Sequence, residues 1–369
     1  MALLFSESFG AVAALTDFIS YGSSIPGANA GSTDTIDTTG GYNSQPAYKC
    51  VVGSPGSLSS YISYPTMTAP TSNEIRFGFW LKLTSGATNG NSSNATTQGI
   101  FALFDSALSK YVSLRLSATT GKLGFLNMST GANLTNPVYT GTITVADGQS
   151  HFVEGRIILS DALAGTFQTW IDGVADINQT GISNGGGFGL TAAALVKVQV
   201  GTWCGTVNNT QWLSHIMVWD TSGTAMNGYL GPARVEYLAP NAAGTNSALT
   251  PTSGANYTTV NEQVANFDTS YVEGATSGLI DTYNYTNLAT SPSVIAAVAV
   301  KSFAKNADVG SKTFRTKCLS NVTYSNGADV ALTVSYKSFF DVYTVDPNTA
   351  VAWTAAGLNA AEFGIEVRT

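Results

Sequence analysis

The chain has 369 residues, of which 44% are hydrophobic, 11% aromatic and only 11% charged, with 38 glycines and a net charge of -7. The apolar share excludes a disordered chain, the acidic balance without a basic patch excludes a nucleic-acid binder, and no run of about 18 apolar residues is present to span a membrane. One core rarely grows beyond about 250–300 residues, so the length predicts two domains.

Short apolar runs bounded by Gly, Ser, Asn and Asp recur along the chain, which predicts strands rather than helices. The opening "MALLFSESFG" has no basic leader and no cleavage motif. It is expected to be a strand over Leu3–Phe9 and not a signal peptide. Further strands are expected at Ala47–Val52, Ser60–Ser63, Ile75–Leu83, Ile100–Asp105, Val112–Ser117, Lys122–Asn127 and His151–Leu159. In "RFGFWLKL" the two-residue period puts Phe77, Phe79 and Leu81 on one face. Trp80 falls on the other, either a second buried face or an exposed platform.

The stretch "GTFQTWIDGVADINQTG", residues 165–181, reads as strand, turn, strand with Asp172-Gly173 at the corner. An Asp-Gly pair supplies the positive φ that a tight hairpin needs. Trp170 is expected to point opposite to Ile171, into a layer of the core rather than out as a platform. Strands at Val196–Trp203, Ser214–Asp220 and Arg234–Leu238 complete this first series. Their spacing, with turn chemistry between, predicts a β-sandwich or jelly roll.

The composition turns small and polar over Ala239–Tyr257, which reads as a linker between domains at 1–240 and 241–369. A second strand series follows at Thr258–Val260, Leu279–Tyr285, Val294–Ala304, Lys312–Leu319, Val322–Tyr324 and Ser335–Val345, with "SVIAAVAVKSFAKN" as a central strand. Near the end Thr354 caps a short helical turn. "AEFGIEV" returns as a last strand with Phe363, Ile365 and Val367 facing inward. The expected fold class is all-β: a jelly-roll β-sandwich followed by a second, smaller antiparallel β-sandwich.

Cys50, Cys204 and Cys318 are odd in number and far apart, so they read as reduced thiols and not as a disulfide framework. Cys and His do not cluster as zinc ligands do. No cofactor is expected. Asp105, Asp147, Asp172 and Asp176 are the rim residues that would hold a structural calcium, though their spacing is not that of an EF-hand.

Catalytic signatures are sparse. No strand carries the Glu-x-Asp-x-x-Glu of a glucanase, or the form one residue longer, which would point its carboxylates into one cleft. The nearest pairs are Asp172/Asp176, Glu262/Asp268 and Glu362/Glu366. The two histidines, His151 and His215, each open an apolar strand and read as strand-end residues bonded to backbone. No Gly-x-Ser-x-Gly is present to support a nucleophilic serine. The expectation is a protein without a catalytic centre.

A sugar site on a sandwich needs exposed rings beside amides or carboxylates. "GTWCGTVNNTQW" offers Trp203, Asn208, Asn209, Gln211 and Trp212 within ten residues at a turn, and these are the candidate glycan-binding residues.

"HFVEGRIIL", "FQTWIDGVADINQTG" and "HIMVWDTSG" together resemble the concanavalin-A/laminin-G-like jelly roll over residues 1–238, with His151, Trp170, Asp172, Gly173 and Trp219 at the matching places. The C-terminal part resembles a group of tailed-bacteriophage virion proteins in which a lectin-like sandwich precedes a small β domain. The matching residues are Asp268-Thr269-Ser270-Tyr271, Gly278, Asp281, Tyr283, Asp346-Pro347, Trp353-Thr354, Asn359 and Phe363-Gly364. This resemblance implies a place on a phage virion. The expected function is structural: a decoration, collar, tail or fibre component, a homo-oligomer that docks on capsid, collar or tail proteins and touches neither nucleic acid nor membrane. An adhesin that binds host surface glycan through the lectin-like domain is the alternative, and a polysaccharide depolymerase is the third reading.

Overall fold

The computed structural model describes residues 3–10, 32–52, 58–64, 67–88, 99–117, 119–129, 139–184, 190–204, 209–223, 225–262, 265–308 and 310–368. The chain is all-β and divides into two compact units, Met1–Val235 and Glu236–Thr369.

The first unit is a β-sandwich. Its strands are β1 (Leu3–Glu7), β2 (Ser32–Asp37), β3 (Ala47–Val52), β4 (Leu58–Ser63), β5 (Glu74–Leu83), β6 (Gly99–Phe104) and β7 (Lys110–Leu116). They continue with β8 (Lys122–Ser129), β9 (Tyr139–Thr144), β10 (Ser150–Ile158), β11 (Gly165–Ile171), β12 (Val174–Ile182), β13 (Lys197–Cys204) and β14 (Asn209–Asp220). One antiparallel sheet of eight strands runs β12-β11-β10-β5-β14-β3-β2, with β1 added along β14. The other, of six strands, runs β4-β13-β6-β7-β8-β9.

The strands form where the chain alternates. On β5 the residues Ile75, Phe77, Phe79, Leu81 and Leu83 enter the space between the sheets and are fully buried. They meet Phe101, Leu103, Val112, Leu114 and Phe125 from the six-stranded sheet. The rings interlock: Phe77 stacks on Phe101 at 4.7 Å between centroids, and Phe125 on Phe167 at 4.6 Å. Gly155 on β10 pairs with Phe77. A Cβ there would stand 2.1 Å from the Phe77 ring, so only glycine lets that ring lie across the strand. The Asp172-Gly173 corner has the anticipated geometry, with φ of 52° and 83°, the two positive values of a tight hairpin turn.

Two strands lie where the sequence is too polar to announce them, "STDTID" in β2 and "YTGTIT" in β9. Both are edge strands, and an edge strand has less need of an apolar face. The expected strand at Arg234–Leu238 is instead irregular. Side chains rather than a ladder hold it: Trp80 Nε1 donates to the Ala233 carbonyl at 2.8 Å, and the Val235 N–H donates to His215 Nδ1 at 3.2 Å.

The second unit contains β15 (Pro240–Ser247), β16 (Thr250–Pro251), β17 (Val272–Glu273), β18 (Ile280–Tyr285), β19 (Val298–Ala304), β20 (Thr313–Ser320), β21 (Thr323–Asn326), β22 (Val330–Ala331), β23 (Lys337–Tyr343) and β24 (Glu362–Val367), with one short helix, α1 (Ala355–Ala360). Its main sheet runs β15-β18-β24-β20-β21, with β22 also on β20, and β16–β17 and β19–β23 form two-stranded ribbons.

The supposed linker is therefore structured. Residues 240–247 are a full strand on β18. Their small side chains are a packing requirement: a Cβ at Gly244 would stand 2.5 Å from the Thr282 carbonyl and the Glu362 carboxylate. The central strand expected over Val294–Ala304 is also corrected. It forms only from Val298, and in the β19–β23 ribbon, while Val294 is 74% exposed. Thr258–Val260, read as a strand, falls on a turn of 3-10 helix at Asn256–Thr259.

Several C-terminal motif residues turn out to organise this unit. Asp281 is fully buried and accepts the Ala248 and Leu249 N–H groups (2.6 and 2.8 Å), the Asn256 amide (2.5 Å) and the Tyr283 hydroxyl (2.9 Å). Gly364 passes so close to the Asp281 carbonyl that a Cβ would lie 1.9 Å from it. Thr354 caps α1 by accepting the Gly357 N–H at 3.0 Å. Trp353 packs with Phe363 and donates to the Tyr343 carbonyl at 3.0 Å. Glu366, also buried, gathers Arg315, Lys317 and Arg368. Burial works to raise its pKa, but these three cations outweigh it and hold the carboxyl down to about 2.

Gly155→Ala is expected to destabilise the first unit by about 1–3 kcal/mol, the usual cost of overpacking. The check is a lowered urea midpoint with an unchanged denaturant slope.

Candidate functional site

The eight-stranded sheet has a second face, turned away from the core, and the same alternation that fills the core loads this face with rings and charges. Register places Trp219 on β14, Arg76 on β5, Arg156 on β10, Gln168 on β11 and Asn178 on β12 side by side in one row. Two residues further along β5 the row is Met217, Gly78, Glu154 and Trp170. Beyond it stand Ser214, Trp80 and Phe152. Gly78 leaves room for the rings, since a Cβ there would come within 2.9 Å of Phe152 and 3.6 Å of Trp219.

The segment that follows β14 covers part of this face. Tyr229 lies against Trp170 with ring centroids 3.8 Å apart, and its ring covers the Arg76 guanidinium at 4.3 Å. Tyr42 stacks on Trp80 at 3.3 Å. Glu154, 3% exposed, holds the segment by accepting the Leu230 and Gly231 N–H groups at 2.7 and 3.2 Å. Burial pushes its pKa up to about 7 against those bonds and the charge of Arg76.

Toward β12 the face opens to solvent. Trp170 is half-buried, while Asn178 and Tyr229 are exposed. Glu74 bridges the two guanidiniums, accepting from Arg76 Nε at 2.6 Å and Arg156 Nη2 at 2.7 Å. Burial works to raise its carboxyl, yet Arg156 and Arg76 together lower it. The polar chain continues outward. Arg156 Nη1 donates to Gln168 Oε1 at 3.1 Å, and Gln168 Nε2 donates to Asn178 Oδ1 at 2.6 Å. Half-exposed rings beside a ladder of amides and guanidiniums can stack on a sugar ring and hydrogen-bond its hydroxyls. Trp170 is thus corrected: it belongs to the outer face, beneath Tyr229, and not to the core between the sheets.

A second polar surface lies on the six-stranded sheet, on the face opposite Val112, Leu114, Val198 and Val200. Gln199 pairs with Ser63 and Ala102, and Ala102 with Ser113. Gln199 Nε2 donates to Ser63 Oγ at 3.0 Å. Arg115, on the same face, is buried, and this brings its pKa down to about 10 against the opposing influence of Tyr111.

The residues singled out in "GTWCGTVNNTQW" are not drawn into one platform. Gln211 and Trp212 are successive on β14 and face opposite ways. Gln211 lies level with the core residues Leu83 and Cys50, while Trp212 is on the outer face, donating to Asp37 at 2.9 Å with Lys49 and Lys82 against its ring. Asn209 is buried. Trp203 belongs to β13, and Asn208 lies outside the described residues.

The four rim aspartates do not gather into one site, and each is engaged by protein groups. Asp105 accepts from Ser109, and Asp176 from the Thr142 and Ile143 N–H groups. Among the described residues no group of acids and histidines is arranged to hold a metal. Asp147 and Asp172 close on His151 from either side, at 3.0 Å from Nε2 and 2.6 Å from Nδ1. His151 was expected to bond to backbone; two carboxylates hold it instead. Its burial works to lower its pKa, but Asp172 and Asp147 outweigh that and raise it. His215 does bond to backbone, at Val235, though it sits within β14 at a bulge with φ of 51° and not at the strand's start.

No family model matches this chain, and no curated protein matches it. Solved structures do. A cellulose-induced protein, Cip1, is similar over 62% of this chain and 100% of its own, with 19% identity and a TM-score of 0.43. An endo-β-1,4-glucuronan lyase from Trichoderma reesei is similar over 59% and 96%, at 12% identity and TM-score 0.41. A carbohydrate esterase from the Shiga toxin-encoding bacteriophage phi24B is similar over 59% and 99%, at 15% identity and TM-score 0.36. The expectation that this chain is no enzyme is corrected by these neighbours, which include a lyase and an esterase acting on carbohydrate.

The clamp on His151 has a pH signature. Its folded pKa is raised above the ordinary value of about 6.5, so its contribution to stability is full below that value and fades as pH rises through the folded pKa. The stability difference between the native protein and His151→Ala, from denaturant melts, is expected to be largest near pH 5 and to shrink by about pH 9.

Proposed function

We propose that the first unit binds carbohydrate on the outer face of its eight-stranded sheet. The observation that carries this is the half-exposed Trp170–Tyr229 pair beside the Arg156–Gln168–Asn178 hydrogen-bonded chain. The rings offer a hydrophobic stacking surface to the C–H face of a pyranose, and the amides and guanidinium read its hydroxyls. The side chains stand on neighbouring strands of one hydrogen-bonded sheet, which limits the entropy lost on binding.

A second reading, in which this face also processes the polysaccharide, is favoured by Glu154. It pairs across the strands with Trp170, and burial holds its pKa near the operating range of a general acid, at about 7. The setting we propose is a tailed-phage particle facing host surface glycan, on the strength of the C-terminal residues from Asp268 to Gly364 quoted above. Recovery of the chain from purified virions checks that setting, and absence from them removes it.

One outcome checks the binding reading and another the processing reading. Trp170→Ala is expected to weaken polysaccharide binding by about 1–3 kcal/mol, the scale of losing a stacked aromatic contact, measured by calorimetry or affinity electrophoresis. The protein should stay folded, because Trp170 lies outside the main core. If processing occurs, new reducing or unsaturated ends appear with native protein and fall by about a hundredfold or more in Glu154→Gln.

A further inference from the structure

The row that crosses five strands is built around donors the protein leaves unmatched. Arg76 and Arg156 are neighbours in register, so two guanidiniums stand side by side, and the Glu74 carboxylate bridges them. Arg76 Nη1, Arg156 Nε and Trp219 Nε1 are all buried and meet no acceptor among the described residues. Arg76 is only 7% exposed and Trp219 fully buried. Buried donors are almost always satisfied, and a guanidinium in a low-dielectric place attracts an anion strongly. The Tyr229 ring, set over Arg76 at 4.3 Å, serves that guanidinium through its π face, which is a weaker partner than an oxyanion. It also covers that guanidinium. The segment bearing it hangs on side-chain contacts, Glu154 to Leu230 and Gly231 and Trp80 to Ala233, and not on a strand ladder.

We propose that this row is an oxyanion subsite that receives the carboxylate of an acidic sugar, a uronate, when Tyr229 moves off Arg76. The planar carboxylate matches the fork of two adjacent guanidiniums. Trp170 takes the sugar ring, and Gln168 and Asn178 continue along the row toward solvent. This inference rests on the carbohydrate reading above and adds the chemical class of the ligand.

The test is calorimetry on the full chain with three probes: an oligoglucuronate, the same oligomer with its carboxyl groups reduced to alcohols, and inorganic sulfate. The native protein is expected to bind the acidic oligomer at least about tenfold more tightly than the reduced one, with the difference shrinking as salt rises. Arg156→Gln should abolish that preference, weakening the acidic oligomer far more than the reduced one. Arg156→Lys, which keeps the charge but loses the fork, should recover only part of it. Tyr229→Ala, which removes a stacking ring together with the cover, should bind both oligomers less tightly but prefer the acidic one at least as strongly as the native protein does.

Equal affinity for the two oligomers, or a preference that survives Arg156→Gln, would overturn the uronate subsite while leaving the carbohydrate reading intact. A Tyr229→Ala protein whose preference for the acidic over the reduced oligomer falls would overturn the cover. Sulfate bound at Arg156 with no acidic oligomer bound would overturn the uronate assignment and keep only an anion site. If neither oligomer binds the native protein, the carbohydrate reading itself fails.

Discussion

The first unit depends on one constraint: β5 lies at the middle of the eight-stranded sheet and is buried on both faces. Along it Ile75, Phe77, Phe79, Leu81 and Leu83 fill the space between the sheets, while Arg76 and Trp80, also buried, belong to the opposite face. Because side chains alternate with a period of two, a slip of one residue would drive Arg76 into the phenylalanine core. The register is therefore strongly determined. It brings Arg76 level with Arg156 and Trp219, and Glu154 level with Trp170. The candidate site is a consequence of core packing on the reverse side of the same strand.

What covers that reverse side differs in kind from what fills the core. The core is closed by stacked phenylalanine rings and by glycines such as Gly155 that let rings cross strands. The outer cover is a segment without a ladder, tied down by Glu154, Trp80 and His215 to its backbone at 230–235. A few side-chain bonds open at lower cost than a strand does.

In the second unit the residues that carried the phage-protein resemblance have structural duties. Asp281 gathers the 248–256 loop, Gly364 permits the close approach of β24 to β18, Thr354 starts α1, and Asn359 accepts the Leu288 N–H at 3.0 Å. Such residues stand out in a sequence because each answers a local demand that few other residues meet. They specify an architecture.

The sequence by itself determined the strand content, the Asp172-Gly173 corner, the Thr354 cap and the alternation of β5, because each depends on neighbours within a few residues. It also singled out "GTFQTWIDGVADINQTG", which contributes Gln168, Trp170 and Asn178 to the site. Only the tertiary structure decided which way Trp170 faces, that Gln211 and Trp212 part company, and that Ala239–Tyr257 holds a strand instead of a linker. It alone joined Arg76, Arg156 and Trp219, which are up to 143 positions apart in the chain. Composition cannot report such pairings, since a polar residue on a strand looks the same whether it meets water or, across the sheet, another buried charge.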